Sequence, residues 1–293
     1  MTYRVVALGD SVSTGVGDTV SSGCEPGWVS HLGRRIPDAQ VTNLAHMGAR
    51  ARDVLRHQAP RARGIPVDLV TILVGGNDVL RKDFSPARVA STIHEVCAGF
   101  SDEVTIAVIL LHDPQRVLPE FSGEAGMVIA KRAAALNDEI RRAMARDERV
   151  VLIDISTAPG AHDLQNWHID RMHPSPTGHR WLARVVAETL TGRRRLVTVD
   201  IEDPVPPAPA RWIQLLWFIA AGIPWALKRS VDLLPELISV IRAERRSLDR
   251  DPARAVEAPI IPEMKQGSRL ADLGSGDPDR ARTGDLRRDR AAR

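Results

Sequence analysis

Cysteine is nearly missing from this 293-residue chain: only Cys24 and Cys97 occur, far apart and in no CxxC spacing. That scarcity excludes a disulfide framework and a cysteine-built zinc site, and leaves open a single bridge between the two. Aromatic residues are sparse, 4% of the chain with one tyrosine. No block of lysine or arginine is interleaved with them, so a nucleic-acid surface is not expected. Charge of one sign is not in excess either, since 40 basic and 37 acidic residues leave a net +3. No charged and then apolar leader precedes the strand-like run that begins at Tyr3, so no secretory signal is read and the cytoplasm is the expected compartment. The motifs GxSxG, Walker A, HExxH and GxGxxG are absent as well, which removes the serine-elbow, P-loop, zinc-peptidase and dinucleotide-binding readings.

What is present is an alternation of two periodicities over residues 1–190. Short Val/Ile/Leu-rich runs at Arg4–Leu8, Val41–Leu44, Leu69–Val74, Val104–Leu111 and Val150–Ile153 read as strands. Between them Pro26–Arg35, Pro86–Phe100, Glu124–Arg146 and Pro174–Leu190 read as helices. Continuously apolar strands separated by helices predict a mostly parallel, five-stranded sheet covered on both faces, a three-layer α/β/α sandwich. The chain divides into this domain at 1–195, a Pro-rich linker at 196–210, an apolar and amphipathic helical segment at 211–248, and a tail at 249–293.

The last two segments have their own composition. Trp212–Leu227 carries no charge, but its 16 residues fall short of the ~20 that a straight spanning helix needs, and Gly222 and Pro224 interrupt it. Val231–Leu248 sets apolar residues against Arg242, Arg245 and Arg246. Two readings stand for Trp212–Leu248: a helix lying in a membrane interface, or a helical pair packed on the domain or on a second copy. The tail lacks Phe, Trp and Tyr and mixes Arg with Asp, a composition expected to remain disordered.

Four short motifs stand at strand ends or just before the last helix. They are Gly9-Asp10-Ser11 after the first strand, Gly48 in the loop after the second, Gly75-Gly76-Asn77-Asp78 after the third, and Asp170-Arg171-Met172-His173 before the final helix. Together and in this order they resemble the SGNH subgroup of the GDSL hydrolases, over roughly residues 3–190. The resemblance implies a flavodoxin-like hydrolase fold and gives each residue a role. Ser11 is the nucleophile, His173 the general base and then acid, and Asp170 the orienter of His173. The oxyanion hole comes from the backbone N–H groups of Ser11 and Gly48 and from the Asn77 amide. The chemistry agrees, because a serine hydroxyl needs an imidazole to take its proton and a fixed set of donors for the charge that develops.

Other residues near these motifs receive structural expectations. Asp10 shapes the loop, Ser13 hydrogen-bonds within it, Asp78 steadies the third-strand loop, and Trp167 borders the acyl pocket. His168 is the strongest competitor of His173, His46 takes a surface position, and His179 faces elsewhere. Arg171 stands where the family often has glycine, and either meets an anionic substrate group or points to solvent.

The resemblance implies a serine hydrolase of carboxylic esters, in the esterase, lipase or lysophospholipase range, with no metal and no cofactor. Acyl transfer by the same residues, or a catalytically silent membrane-associated binding protein, are the alternatives. The expected partner is a small-molecule or lipid ester, with peripheral membrane contact through Trp212–Leu248 if that segment lies on a bilayer.

Overall fold

The computed structural model describes residues 2–18, 26–117, 124–168, 170, 172–193, 195–201 and 242. Cys24, Arg171, residues 202–210 of the linker, the 211–248 segment apart from Arg242, and the tail lie outside them. Strands β1 (Tyr3–Gly9), β2 (Ala39–Asn43), β3 (Leu69–Leu73), β4 (Thr105–Ile109) and β5 (Val150–Ile153) form one sheet in the order β2-β1-β3-β4-β5. All four neighbouring pairs are parallel.

Strand residues alternate between two apolar cores. Val6, Leu8, Val70 and Ile72 face one layer, built from helices α6 (Pro86–Ala98) and α7 (Glu124–Met144) and from the helical run 51–63. Val5, Ala7, Leu69 and Leu73 face the other, built from α2 (Gly27–Arg34) and α8 (Pro176–Gly192). Each fully buried Leu or Ile in these layers contributes roughly 1.5–3 kcal/mol. Strand order reverses between β1 and β3, because β1 is followed by β2 on one side while β3 begins the run to the other. In open α/β sheets the ligand crevice lies beyond the carboxyl ends of the strands at such a point.

Most element boundaries shift by one or two residues from the sequence expectation, and two of the shifts have a clear local reason. The last helix starts at Pro176 rather than Pro174, because Pro174 pairs with Trp167 in an isolated antiparallel bridge. Ser175 then caps the helix by accepting from the Gly178 N–H, and Pro176 occupies the first turn, where no donor is needed. Strand β4 stops at Ile109 rather than Leu111. Leu110 still donates to Ile153, but Leu111 turns to the side chain of Asn137 on α7, which accepts its N–H at 2.9 Å and donates to its C=O at 2.8 Å.

The run 51–63 had no counterpart in the sequence reading. It comprises α3 (Ala51–Asp53), a π turn at Val54–Gln58 and α4 (Ala59–Arg63). The π turn carries Gln58, whose amide accepts from the Gly9 N–H at 2.8 Å and donates to the Gly9 C=O at 2.9 Å. The second Gln58 N–H reaches His46 Nδ1 at 3.0 Å. Gln58 is buried, so removing its amide strands the Gly9 N–H away from water. We expect Gln58→Leu to lower unfolding free energy by about 1–3 kcal/mol, the cost of one orphaned buried donor. Urea denaturation measures this, and a loss under about 0.5 kcal/mol would show that the clamp is dispensable.

Candidate active site

The chain leaves β1 through Gly9, whose φ of +155° and whose packing against the Leu73 carbonyl leave no room for a side chain. Asp10 follows in an extended conformation and caps the short helix α1 (Ser11–Thr14), accepting from the Val12 N–H at 3.1 Å. Ser11 is therefore the first residue of a helical turn at the sheet's carboxyl edge. Ser13 does not bond within the loop as expected: its hydroxyl is fully buried beneath Gly9 without a partner among the described residues, and it is its carbonyl that accepts, from the Asn43 amide.

His173 Nε2 lies 2.8 Å from Ser11 Oγ, and His173 Nδ1 lies 2.8 Å from Asp170 Oδ2. The segment before α8 makes this arrangement rigid. Asp170 Oδ1 accepts the N–H groups of Met172 and His173, closing a turn that fixes the carboxylate under the ring. His168 donates its backbone N–H to the His173 carbonyl and sets its Nδ1 3.6 Å from the same Asp170 oxygen, so it flanks the carboxylate while His173 meets the serine. Burial raises the Asp170 pKa, but the bonds from His168 and His173 outweigh it and hold the carboxyl well below its ordinary range. Asp170 is thus a carboxylate throughout the working pH range.

Asn77 sits in the turn α5 (Gly76–Val79) after β3. Its amide donates to the Ala49 carbonyl at 3.1 Å and makes a long 3.4 Å contact with Asp10 Oδ2. Gly48 occupies the loop after β2 with φ +76°, a conformation suited to glycine. That loop is anchored by Asp78, which accepts from the Arg50 guanidinium at 3.1 Å and the Ala51 N–H at 3.0 Å. Asp78 therefore steadies the second-strand loop from the third, a wider role than the sequence suggested. His46 is exposed, as expected, with its Nδ1 accepting from Gln58.

His179 faces away from Ser11, sealed in a polar network behind the site. It accepts from the Trp28 N–H and donates to the Val16 carbonyl, and burial pushes its pKa down to about 4. Beside it, Asp18 takes the Gly27 N–H, His31 and Arg180. This network ties the chain that follows α1 to both helices of its layer.

A cavity of about 140 Å³ opens at Ser11 and Asn77. Asp10 and His173 join them at that end, and Val79, Leu80, Leu111, Ile129, Ala133 and His112 line the remainder. Sequence reasoning did not find His112 as a pocket residue; its place just after β4 was the available signal. Trp167, expected at the pocket, stands behind His112 instead, with ring centroids 4.0 Å apart and its Nε1–H bonded to the Ala161 carbonyl. Among the described residues no group of His, Cys, Asp or Glu is arranged to hold a metal ion, and no helix is long and apolar enough to cross a membrane.

Asp10 is the second unusual carboxyl of the site. Burial pushes its pKa up to about 6, against the opposing pull of the Val12 N–H and of His173. A carboxyl that keeps its proton longer when folded stabilises the fold fully below its unfolded pKa near 4, and that contribution is lost as pH rises through about 6. We therefore expect Asp10→Asn to gain on the parent by a few kcal/mol between pH 4 and 7, at ~1.4 kcal/mol per pKa unit. Unfolding free energies of both proteins at the two pH values test this, and a difference that stays flat with pH would overturn it.

The GDSL-like Lipase/Acylhydrolase family matches residues 7–181. No curated protein matches the chain. Among solved structures, the lipase Lip_vut3 from a goat rumen metagenome is 19% identical, covering 64% of this chain and 97% of its own, with a TM-score of 0.50. Axe2, an acetylxylan esterase from Geobacillus stearothermophilus, is 16% identical over 64% and 94% of the two chains, with a TM-score of 0.52. A member of the lipolytic G-D-S-L family from Veillonella parvula is 17% identical over 65% and 97%, at 0.50. These likenesses concern the fold; the match over residues 7–181 carries the assignment, and the chain belongs to the GDSL-like lipase/acylhydrolase family.

Proposed function

We propose that the protein is a cofactor-independent serine hydrolase of carboxylic esters. The observation that carries this reading is the relay from Ser11 Oγ through His173 to Asp170, with 2.8 Å at each step. His173 Nε2 takes the serine proton as Oγ attacks the ester carbonyl, while Asp170 holds the Nδ1–H and stabilises the imidazolium. The oxyanion forms between the Ser11 and Gly48 N–H groups and the Asn77 amide. One Asn77 N–H is committed to Ala49, which fixes the amide plane, and the other makes only the long contact to Asp10 and is available to the developing charge. His173 then returns its proton to the leaving alcohol, and water resolves the acyl-enzyme by the same route.

Cavity size favours short acyl groups. A dry cavity of about 150 Å³ accommodates benzene, so the 140 Å³ at Ser11 suits an acyl chain of about six heavy atoms or fewer.

A fluorophosphonate probe is expected to label the parent protein and not Ser11→Ala; labelling that survives the substitution would overturn the nucleophile assignment. Asn77→Ala is expected to lower kcat for p-nitrophenyl butyrate by ~10²–10³ with the protein still folded. On the parent protein, butyrate should be turned over in preference to laurate.

A further inference from the structure

In the proposed reaction Asn77 is the oxyanion donor that acts through a side chain, so the turn carrying it must be held in place from more than one direction. Toward the loop after β2 it is held by its own neighbours: Asn77 donates to Ala49, and Asp78 accepts from Arg50 and from the Ala51 N–H. On another side α5 packs against α7, and Arg132 of α7 spans the gap. Arg132 Nη1 donates to the Val79 carbonyl at 2.5 Å and to the Arg81 carbonyl at 2.9 Å. Its guanidinium also lies over the Phe84 ring, 4.9 Å from the centroid.

The place of Arg132 on its helix gives this tie a meaning. Ile129 and Ala133, one turn before it and next to it, line one wall of the cavity, while Gly76, Asn77, Val79 and Leu80 line another. Arg132 is therefore a strut between two cavity walls, and Asn77 stands on one of them. Val79 ends α5, and the last carbonyls of a helix have no partner inside it. A basic side chain satisfies such carbonyls by donating to them. The turn is thus pinned at its carboxyl end by α7, and on its other side by the loop after β2.

We propose that Arg132 is a positioning residue for the ester hydrolysis, fixing the α5 turn against α7 so that the Asn77 amide stands at the distance from Ser11 that the oxyanion requires. It touches no reacting atom. The bond to Ala49 fixes the plane of the amide, and the strut fixes the turn that carries it. A misplacement of about 1 Å in such a group can cost ~10²-fold in rate. The inference rests on the ester-hydrolase reading and deepens it, by naming what holds the side-chain donor of that same site.

The test is a double-mutant cycle on kcat for p-nitrophenyl butyrate, using Arg132→Met, Asn77→Ala and the two together. Active sites are counted by fluorophosphonate titration, so that unfolded molecules do not enter. Arg132→Met keeps an unbranched stem and removes the donors. It is expected to lower kcat by about ten- to hundredfold with KM moved by less than about threefold, because the interaction lost is one made in the transition state. In the Asn77→Ala background the same substitution should cost less than about threefold, whereas general damage to the fold would cost the same factor in both backgrounds. Arg132→Lys should recover part of the loss, since both hydrogen bonds come from one nitrogen and an ammonium can make both. Arg132→Gln, too short to span the gap, takes the place of Arg132→Met in the cycle if that variant does not fold. A kcat unmoved by the loss of Arg132, or an equal loss in both backgrounds, overturns the positioning role and leaves the hydrolase reading intact. A kcat unmoved by Asn77→Ala also overturns it, since no donor is then left to position, without touching the roles of Ser11 and His173. Turnover of no simple ester by the parent would overturn the hydrolase reading and this inference with it.

Discussion

A parallel sheet must release its strands at the carboxyl edge, and each backbone group that leaves the ladder there needs a new partner away from water. The architecture of this site follows from how that demand is met. Gly9, leaving β1, and Leu111, leaving β4, each have both backbone groups taken by one side-chain amide, Gln58 and Asn137 respectively. An amide presents a donor and an acceptor as a neighbouring strand residue does. It extends the ladder by one step without extending the sheet. Functional side chains can then stand immediately beyond the edge on fixed backbone.

The candidate site residues come from separate stretches of sequence, and polar contacts between their loops keep them in register. The Asp78 carboxylate joins the loops after β2 and β3 through Arg50 and Ala51. Asn77 joins the loop after β3 to Ala49 and, more loosely, to Asp10 after β1. The serine, the glycine loop and the amide are thus mutually braced before any substrate arrives, which is the condition for electrostatic preorganisation.

The strands and the four longer helices were readable from the sequence because continuous apolar runs and helical periodicity survive without tertiary information. The positions of Ser11, Asn77 and His173 were readable because they sit in short motifs at strand ends. Other features had no such signal. The π turn carrying Gln58 lies in a run rich in arginine and alanine, where nothing marks the shift from one helical period to another. Pro174 resembled a helix start until its pairing with Trp167 claimed it. Ser13 carries a hydroxyl that sequence assigns to loop bonding, whereas packing under Gly9 removes its partners. His112 was one of several histidines, and only the path of β4 and the stacking of Trp167 separate it from the rest.

The spacing of three residues on α7 has a consequence of its own. Ile129 and Ala133 form part of the cavity wall, and Asn137, four residues further on, holds Leu111. At 3.6 residues per turn these three share one stripe of the helix. The helix therefore acts as a common ruler for cavity depth and for the setting of the chain that enters it from β4. Changes of side-chain size at 129 or 133 can resize the chamber while the ruler stays in place. A one-residue insertion ahead of Asn137 would turn Ile129 and Ala133 by about 100° relative to it. Chamber and clamp would then lose their shared reference together, so diversification of this wall is confined to substitution rather than to changes in length.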